Sequence, residues 1–232
     1  MSAQPTVLLF DIDGTLLRTG GAGRRSMRQA FHELFGRPDV LDAMDFRGMT
    51  DPLILEGGLL NLGEAPTPEH IRALTDAYLR ALAVEVPAST DYEVLPGVRE
   101  LLARLSRREC LALGLGTGNT QAGARTKLAH GDIWHHFGFG GFGDDHIDRV
   151  EVIRAGATRG AGALRAPLKA CRVVVIGDTP KDAHAARGID AACLAVLTGG
   201  YSEAELRDAG AEWVVPDLSH PSVLPALLGH SL

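Results

Sequence analysis

Four short runs of apolar residues, each continuous rather than alternating, place the strongest constraint on the fold. They are TVLLF (6–10), CLALGLG (110–116), CRVVVIG (171–177) and AACLAVLTG (191–199). A strand with one solvated face alternates apolar and polar residues, whereas a continuous run indicates a strand covered on both faces, as in a parallel sheet. Helical patterns separate the runs, at 98–108 and 180–187 for example. The sequence therefore predicts an α/β fold with a doubly wound, Rossmann-like parallel sheet as its core.

One region, residues 20–91, interrupts this alternation. It contains three helical segments and no strand pattern: GRRSMRQAFHELFG, DPLILEGGLLNLG and TPEHIRALTDAYLRALAVEV. We interpret residues 20–91 as a small α-helical cap domain inserted after the first strand of a core formed by residues 1–19 and 92–232. The segments RTGGAG and PASTDYEVLPG are predicted to be the two linkers, and the glycines of the first suit the hinge of a moving cap.

Composition and charge exclude several classes of protein. The chain has 232 residues with a formal net charge of −6 and no stripe of Lys and Arg, which argues against a nucleic-acid partner. No apolar run approaches the roughly 20 residues of a membrane helix, and the N-terminus lacks the pattern of a secretory signal. Its three scattered cysteines are typical of reduced thiols. We expect a cytoplasmic protein without nucleic-acid or membrane partners, and the choice between monomer and homodimer stays open.

Polar residues follow the predicted strands at the point where each strand ends. Asp11 and Asp13 follow the first strand, Thr117 the second and Asp178 the third, with Asp182 one helical turn beyond Asp178. In a sheet of this kind, ligands bind beyond the carboxyl ends of the strands. A hard divalent cation would neutralise such a cluster, and Mg²⁺ is expected where a phosphate completes its shell. For Asp182, metal binding and the orientation of a neighbouring ligand stay open as alternatives.

The two carboxylates that follow the first strand suit two different chemical roles. Asp11, nearer the strand, is predicted to be the nucleophile, which would form an aspartyl phosphate. Asp13, on the turn, is predicted to be the general acid and base. Thr117 and the backbone N–H groups near Gly118 and Asn119 could donate hydrogen bonds to the phosphoryl oxygens.

These motifs resemble those of the haloacid dehalogenase-like (HAD) hydrolase superfamily. DIDGT (11–15) resembles its first motif, Thr117 in GTGN its second, and Asp178 with Asp182 in GDTPKD its fourth. The resemblance implies Mg²⁺-dependent phosphoryl transfer, with Mg²⁺ held by the Asp11 side chain, the Asp13 carbonyl and Asp178. Thr15, in the first motif, is a further candidate for binding substrate.

The helical insert resembles the cap of the phosphoglycolate phosphatase and β-phosphoglucomutase-like subgroup. The segment RGMTD (47–51) falls where cap residues of that subgroup touch substrate. This placement implies that Arg47 contacts the end of the substrate that does not react.

This sequence departs from the usual form of the superfamily's third motif. Its lysine usually lies in a KPxP stretch, and the sequence contains none. Arg149 occupies roughly that place, whereas Lys127 lies about two turns into its predicted helix and would have to reach back about 12 Å. Arg149 and Lys127 are therefore alternative candidates for the cationic partner of the phosphate.

Three functions stay open at this point. The first is a Mg²⁺-dependent phosphatase acting on a small phosphorylated metabolite. A sugar-phosphate mutase of the β-phosphoglucomutase type needs only a cap that keeps water from the phosphoenzyme. A binding module that kept the phosphate site without turnover is the third, although the intact Asp11 and Asp13 pair argues against it.

Overall fold

A single parallel sheet of six strands forms the centre of the protein. The computed structural model describes residues 4–229. Its strands are β1 (Thr6–Phe10), β2 (Leu17–Thr19), β3 (Tyr92–Val94), β4 (Leu111–Gly116), β5 (Phe139–Gly141), β6 (Arg172–Gly177), β7 (Ala192–Val196) and β8 (Trp213–Val215). The order across the sheet is β5-β4-β1-β6-β7-β8, and all neighbouring pairs are parallel. The predicted doubly wound α/β fold is confirmed.

Helices connect the strands and cover the sheet. They are α1 (Ala22–Phe35), α2 (Asp51–Leu62), α3 (Pro68–Ala88), α4 (Val98–Leu105), α5 (Gln121–His130), α6 (Arg149–Ala163), α7 (Pro180–Arg187), α8 (Glu203–Asp208) and α9 (Val223–Leu228). Among the described residues, no helix combines the length and apolar character needed to cross a membrane.

The continuous apolar strands are buried on both faces. Along β1, Leu8 and Phe10 belong to the hydrophobic core on one side of the sheet, whereas Val7 and Leu9 belong to the core on the other side. All four side chains are fully buried. Because successive side chains of a strand point to opposite faces, a run without polar residues is what this double burial requires.

The sheet reverses its direction of growth at β1. The chain adds β4 and then β5 on one side of β1, and β6, β7 and β8 on the other. At such a switch point the loops after the two central strands leave in opposite directions and open a crevice. The ends of β1 and β6 lie at this crevice, and Asp11 and Asp178 follow them directly.

Three helices, α1, α2 and α3, form the predicted helical cap after the first strand of the sheet. They enclose a hydrophobic core of their own, which includes Met27, Phe31, Leu55 and Leu74. A separate core is what lets a cap hold its shape without burial against the sheet. The boundaries at residues 19/20 and 91/92 stay a prediction.

The two segments predicted to be linkers are not separate connections, because parts of them pair with each other as strands. Strands β2 and β3 form an antiparallel ribbon in which Leu17 is opposite Val94 and Thr19 is opposite Tyr92. Between these pairs, Arg18 forms an ion pair with Glu93 at 2.9 Å. With three residues in each strand, neither segment carries enough alternation to show as a strand in the sequence. The cap is thus attached through a paired ribbon.

Candidate active site

The nucleophile predicted from the sequence, Asp11, lies at the end of β1 in the crevice. Its backbone N–H donates to the carbonyl of Ile176 at 2.8 Å, which continues the pairing of β1 with β6. The guanidinium of Arg149, the first residue of α6, lies 2.9 Å from Asp11 Oδ1. Burial raises the pKa of Asp11 to about 6, although Arg149 opposes that shift. The carboxylate is therefore held in place by one charged partner.

Asp178 faces Asp11 from the end of β6 and is also buried. The hydroxyl of Thr15 donates to its Oδ1 at 2.8 Å. Gly14, with a φ of 88°, lies against the same carboxylate, since a Cβ there would come within 2.8 Å of Asp178 Cγ. Burial and the charge of Asp11 hold the pKa of Asp178 well above its usual value. Thr15 is predicted to contact substrate, but in the structure its hydroxyl donates to Asp178.

The sequence leaves two roles open for Asp182, metal binding and the orientation of a neighbouring ligand. In the structure both of its carboxylate oxygens accept hydrogen bonds. Its Oδ2 accepts hydrogen bonds from the backbone N–H of Asp178 and from both the N–H and the hydroxyl of Thr179, at 2.8–3.2 Å. Its Oδ1 accepts from Arg149 Nε at 2.9 Å. With both oxygens engaged and the side chain fully buried, Asp182 is placed to orient the loop after β6 and Arg149.

The two candidate cations, Arg149 and Lys127, both reach the site, and each contacts a different carboxylate. Lys127 Nζ lies 2.6 Å from Asp13 Oδ2, although Lys127 is in the second turn of α5. Burial alone would lower the pKa of Lys127, but Asp13 and Asp51 outweigh it and raise the pKa, so the amine stays charged. Arg149 is therefore the cation beside the predicted nucleophile, and Lys127 is the cation beside the predicted general acid.

The loop after β4 supplies the remaining predicted residues. Thr117 is fully buried, and its hydroxyl oxygen accepts from Asn119 Nδ2 at 2.9 Å. The same Nδ2 donates to Asp13 Oδ2 at 2.9 Å. Gly118 and Asn119 line a cavity between the sheet and the cap. Thr117 is not among the residues that the structure shows lining it.

This cavity of about 300 Å³ lies between the sheet and the cap. Asp11, Asp13, Asp178, Arg149 and Lys127 line its core side. On its cap side it is lined by Arg24, Met27, Asp45, Phe46, Arg47, Met49, Asp51, Ile54 and Tyr78. A volume at the low end of ligand pockets indicates a small substrate.

Arg47, predicted to contact the substrate, lines the cavity but is already paired. Its guanidinium binds Asp45 through two nitrogens, at 3.1 and 2.8 Å, and lies 4.7 Å from the centre of the Tyr201 ring. Its carbonyl accepts from Lys181 Nζ at 3.0 Å. Arg47 therefore joins the cap to the core.

A family model for haloacid dehalogenase-like hydrolases matches residues 5–190 of the chain. The chain belongs to the haloacid dehalogenase-like hydrolase family. It is 29% identical over 228 residues to protein CbbY of Rhodobacter capsulatus, covering 91% of this chain and 93% of that protein. The predicted enzyme class, a HAD-like hydrolase, is confirmed.

Solved structures of HAD-like proteins share the fold. β-Phosphoglucomutase from Clostridium difficile has a TM-score of 0.71 at 16% identity and covers 97% of each chain. A predicted phosphoglycolate phosphatase from Haemophilus somnus has a TM-score of 0.70 at 16% identity, covering 97% of this chain and 99% of that chain. The fold is thus that of the subgroup whose cap the sequence resembles.

Two cap residues of this HAD-like site did not emerge individually from the sequence. Asp51 is buried at the start of α2, where its Oδ2 accepts from the backbone N–H of Thr120 at 2.9 Å. Its own N–H donates to the Gly118 carbonyl at 2.7 Å, and burial raises its pKa to about 6. Tyr78 is fully buried in α3. In the sequence, Asp51 has the pattern of an acidic residue in a first helical turn and Tyr78 that of an apolar helix face.

Asp11, Asp178 and Asp182 form the acidic group of the HAD-like site that could hold a metal ion. One oxygen of each lies within 4.8 Å of the others, and all three residues are buried. Oxygen donors in a buried, negatively charged cluster are what Mg²⁺ prefers. Since Asp182 already has partners on both oxygens, Asp11 and Asp178 are the carboxylates that fit direct binding.

Proposed function

We propose that this HAD-like hydrolase is a phosphatase that cleaves a small phosphorylated metabolite through an aspartyl-phosphate intermediate on Asp11. One observation carries the proposal. A single small cavity brings together Asp11, a second carboxylate at Asp13, and the cations Arg149 and Lys127. Nucleophile, acid and charge compensation are the components that transfer of a phosphoryl group requires.

In the first step, an oxygen of Asp11 attacks phosphorus and the bond to the leaving oxygen breaks. Arg149 already lies 2.9 Å from Asp11 Oδ1, so its guanidinium is placed to meet the phosphoryl oxygens as they approach. Asp182, bound to the Nε of the same guanidinium, holds its orientation. Arg149 would thus take the role that a lysine has in the superfamily's third motif.

Asp13 is proposed to exchange protons with the leaving group and with water. Lys127 and Asn119 both contact its Oδ2. This arrangement fixes the carboxyl group and leaves Oδ1 to give a proton to the leaving oxygen. In the second step Asp13 takes a proton from water, which hydrolyses the aspartyl phosphate and restores Asp11.

Mg²⁺ would be held by the side chains of Asp11 and Asp178 and by the backbone carbonyl of Asp13. When bound, it supplies positive charge that stabilises the negative charge of the transferring phosphoryl group. Thr15 and Gly14 position the Asp178 carboxylate for this role. Asp182 is proposed to position these groups without binding the ion.

The proposal is tested by the release of inorganic phosphate from p-nitrophenyl phosphate and from a panel of phosphorylated metabolites, with Mg²⁺ and with EDTA. We expect Mg²⁺-dependent release of phosphate. Phosphate esters that are converted to isomers without release of phosphate would indicate a mutase and contradict the proposal. A protein that binds phosphate without turning over any of these esters would contradict it equally.

Mg²⁺ is expected to raise the melting temperature of the metal-free protein by several degrees at about pH 7.5. The folded-state pKa of Asp11, about 6, lies above its unfolded value. Its contribution to stability is thus present below about pH 4 and is lost as the pH rises through about 6. Mg²⁺ restores stability where both Asp11 and Asp178 are ionised.

The same measurement at about pH 5 provides the comparison, because protons compete with the ion there and the shift should be smaller. Asp178→Asn is the matched variant, since it removes one ligand and keeps the shape. A shift of equal size at both pH values, or in Asp178→Asn, would show that the ion binds elsewhere.

A further inference from the structure

The loop that follows β7, residues 197–201, crosses the end of the neighbouring strand β6. In the sheet β6 lies between β1 and β7, so β7 and β1 are not neighbours. The loop begins with a single 3₁₀ turn, Leu197–Gly199. Within that turn the hydroxyl of Thr198 donates a hydrogen bond to the carbonyl of Gly14, in the turn after β1. To make this contact the β7 loop passes over the end of β6, where Asp178 lies.

The crossing is close because a glycine stands at the point of contact. A Cβ on Gly199 would lie 2.7 Å from both the Cγ and the backbone carbonyl oxygen of Asp178, and closer still to Oδ2. Cβ atoms in proteins stay about 3.0 Å or more from such atoms, so a side chain here would push Asp178 out of its place. Gly14 lies against the same carboxylate. Two glycines from different loops therefore define the space that the Asp178 carboxylate occupies.

Further contacts fix the β7 loop in place. Arg18 Nη2 donates to the Thr198 carbonyl at 2.6 Å, and Nη1 of the same guanidinium pairs with Glu93 at 2.9 Å. At the end of the loop, the centre of the Tyr201 ring lies 4.7 Å from the Arg47 guanidinium. The loop is thus attached to the turn after β1, to the ribbon of β2 and β3, and to the cap. A segment held at several points forms a fixed wall for the carboxylate beside it.

The β7 loop joins the two segments that carry the proposed metal ligands. The turn after β1 carries Asp11 and the Asp13 carbonyl, and the end of β6 carries Asp178. Thr198 bonds the first segment, and Gly199 contacts the second. Residues that only orient a metal ligand typically change metal affinity by about 10–100-fold when they are replaced.

We infer that Thr198 and Gly199 are positioning residues of the proposed Mg²⁺ site. The Thr198 hydroxyl holds the β7 loop against the turn after β1, and Gly199 lets the backbone lie directly on Asp178. Together they set the place of the Asp178 carboxylate relative to Asp11. Neither is among the described residues that line the cavity, so both act through Asp178. The inference rests on the Mg²⁺ site of the proposed function.

Gly199→Ala tests the inference through the affinity for Mg²⁺. Calorimetric titration of the metal-free protein with Mg²⁺ at about pH 7.5 gives Kd without substrate or turnover. We expect Kd to rise by about tenfold or more, because the added methyl group moves Asp178. Asp178→Asn is the reference, since it replaces the ligand itself. In that background Gly199→Ala should add nothing further, because the two substitutions act through the same carboxylate.

Gly200→Ala is the matched control in the same loop. Gly200 has a φ of 82°, so an alanine there strains the backbone. Apart from its chain neighbours, no atom of the described residues lies within 4 Å of the place that its Cβ would take. The variant should therefore melt at a lower temperature than the wild-type protein and keep the wild-type Kd for Mg²⁺.

Thr198→Val provides a second variant that adds no bulk against Asp178, and it decides the matter if Gly199→Ala does not fold. It removes the hydroxyl that bonds the Gly14 carbonyl and keeps the branched shape of the side chain. We expect Kd for Mg²⁺ to rise about fivefold, as for the loss of one hydrogen bond. Circular dichroism checks that each variant is folded.

The inference and the proposed site fail in different ways. If Asp178→Asn weakens Mg²⁺ binding but Gly199→Ala or Thr198→Val keeps the wild-type Kd, that residue has no positioning role and the site stands. Equal weakening in Gly199→Ala and Gly200→Ala would show that strain in the loop is responsible, and would overturn the role of Gly199. A wild-type protein that binds no Mg²⁺, or an Asp178→Asn protein that binds it as tightly, would contradict the site and the inference together.

Discussion

Asp11→Asn is expected to lower kcat for phosphate release by about 10⁴-fold or more. An amide oxygen is a far weaker nucleophile than a carboxylate, and the substitution leaves the size of the side chain unchanged. Steady-state kinetics with p-nitrophenyl phosphate and Mg²⁺ measure the loss.

The folded state of Asp11→Asn should be retained, which separates loss of chemistry from loss of structure. In the wild-type protein burial raises the pKa of Asp11 to about 6, so an ionised Asp11 disfavours the metal-free fold above that pH. A neutral amide does not ionise there. We expect the metal-free variant to melt no lower than the metal-free wild-type protein at about pH 7.5. Substantial turnover in a folded Asp11→Asn protein would remove Asp11 from its role.

Arg149→Met is expected to destabilise the protein by about 3–5 kcal/mol, besides reducing kcat. Arg149 and Asp182 are 8% and 0% exposed, and the guanidinium is the charged partner of both Asp182 and Asp11. Removing the guanidinium leaves the buried carboxylates of Asp11 and Asp182 without this charged partner. Chemical denaturation measures the free energy of unfolding.

Arg149→Lys is the matched variant, since it keeps the charge but supplies one nitrogen where the guanidinium supplies a planar fork. Its stability and kcat should lie between those of the wild-type protein and Arg149→Met. Lys127→Met provides a second comparison, because that cation contacts Asp13 and not Asp11. If Arg149→Met were as stable and active as the wild-type protein, Arg149 would be neither a structural partner nor a phosphate contact.

The positions of the proposed catalytic carboxylates could be predicted from the sequence, because they follow from backbone geometry. In a parallel sheet the carboxyl ends of all strands lie at one edge, and residues directly after β1 and β6 are neighbours because these two strands pair. The sequence predicts the shared edge for Asp11 and Asp178, and the structure adds that their strands are adjacent. The helical cap was predictable for a similar reason, since α1, α2 and α3 each carry a long local pattern.

The remaining features depend on contacts between distant segments. Strands β5 and β8 and the ribbon of β2 and β3 have three residues each, too few for a periodic pattern. The position of Lys127 along its helix predicts a long reach to the site, yet Asp13 lies beside that helix and the amine contacts it directly. Tyr78 has the pattern of a core residue of α3, and only the fold places it beside the cavity.

The ribbon of β2 and β3 limits how the cap can move. The chain passes between core and cap twice, and the two passages are hydrogen-bonded to each other. Two independent single strands would let the cap twist as well as tilt. Because the two passages are joined side by side, we expect the cap to tilt about one axis, so that each opening exposes the same rim of the cavity. Arriving ester and departing phosphate would then use one common route, in turn.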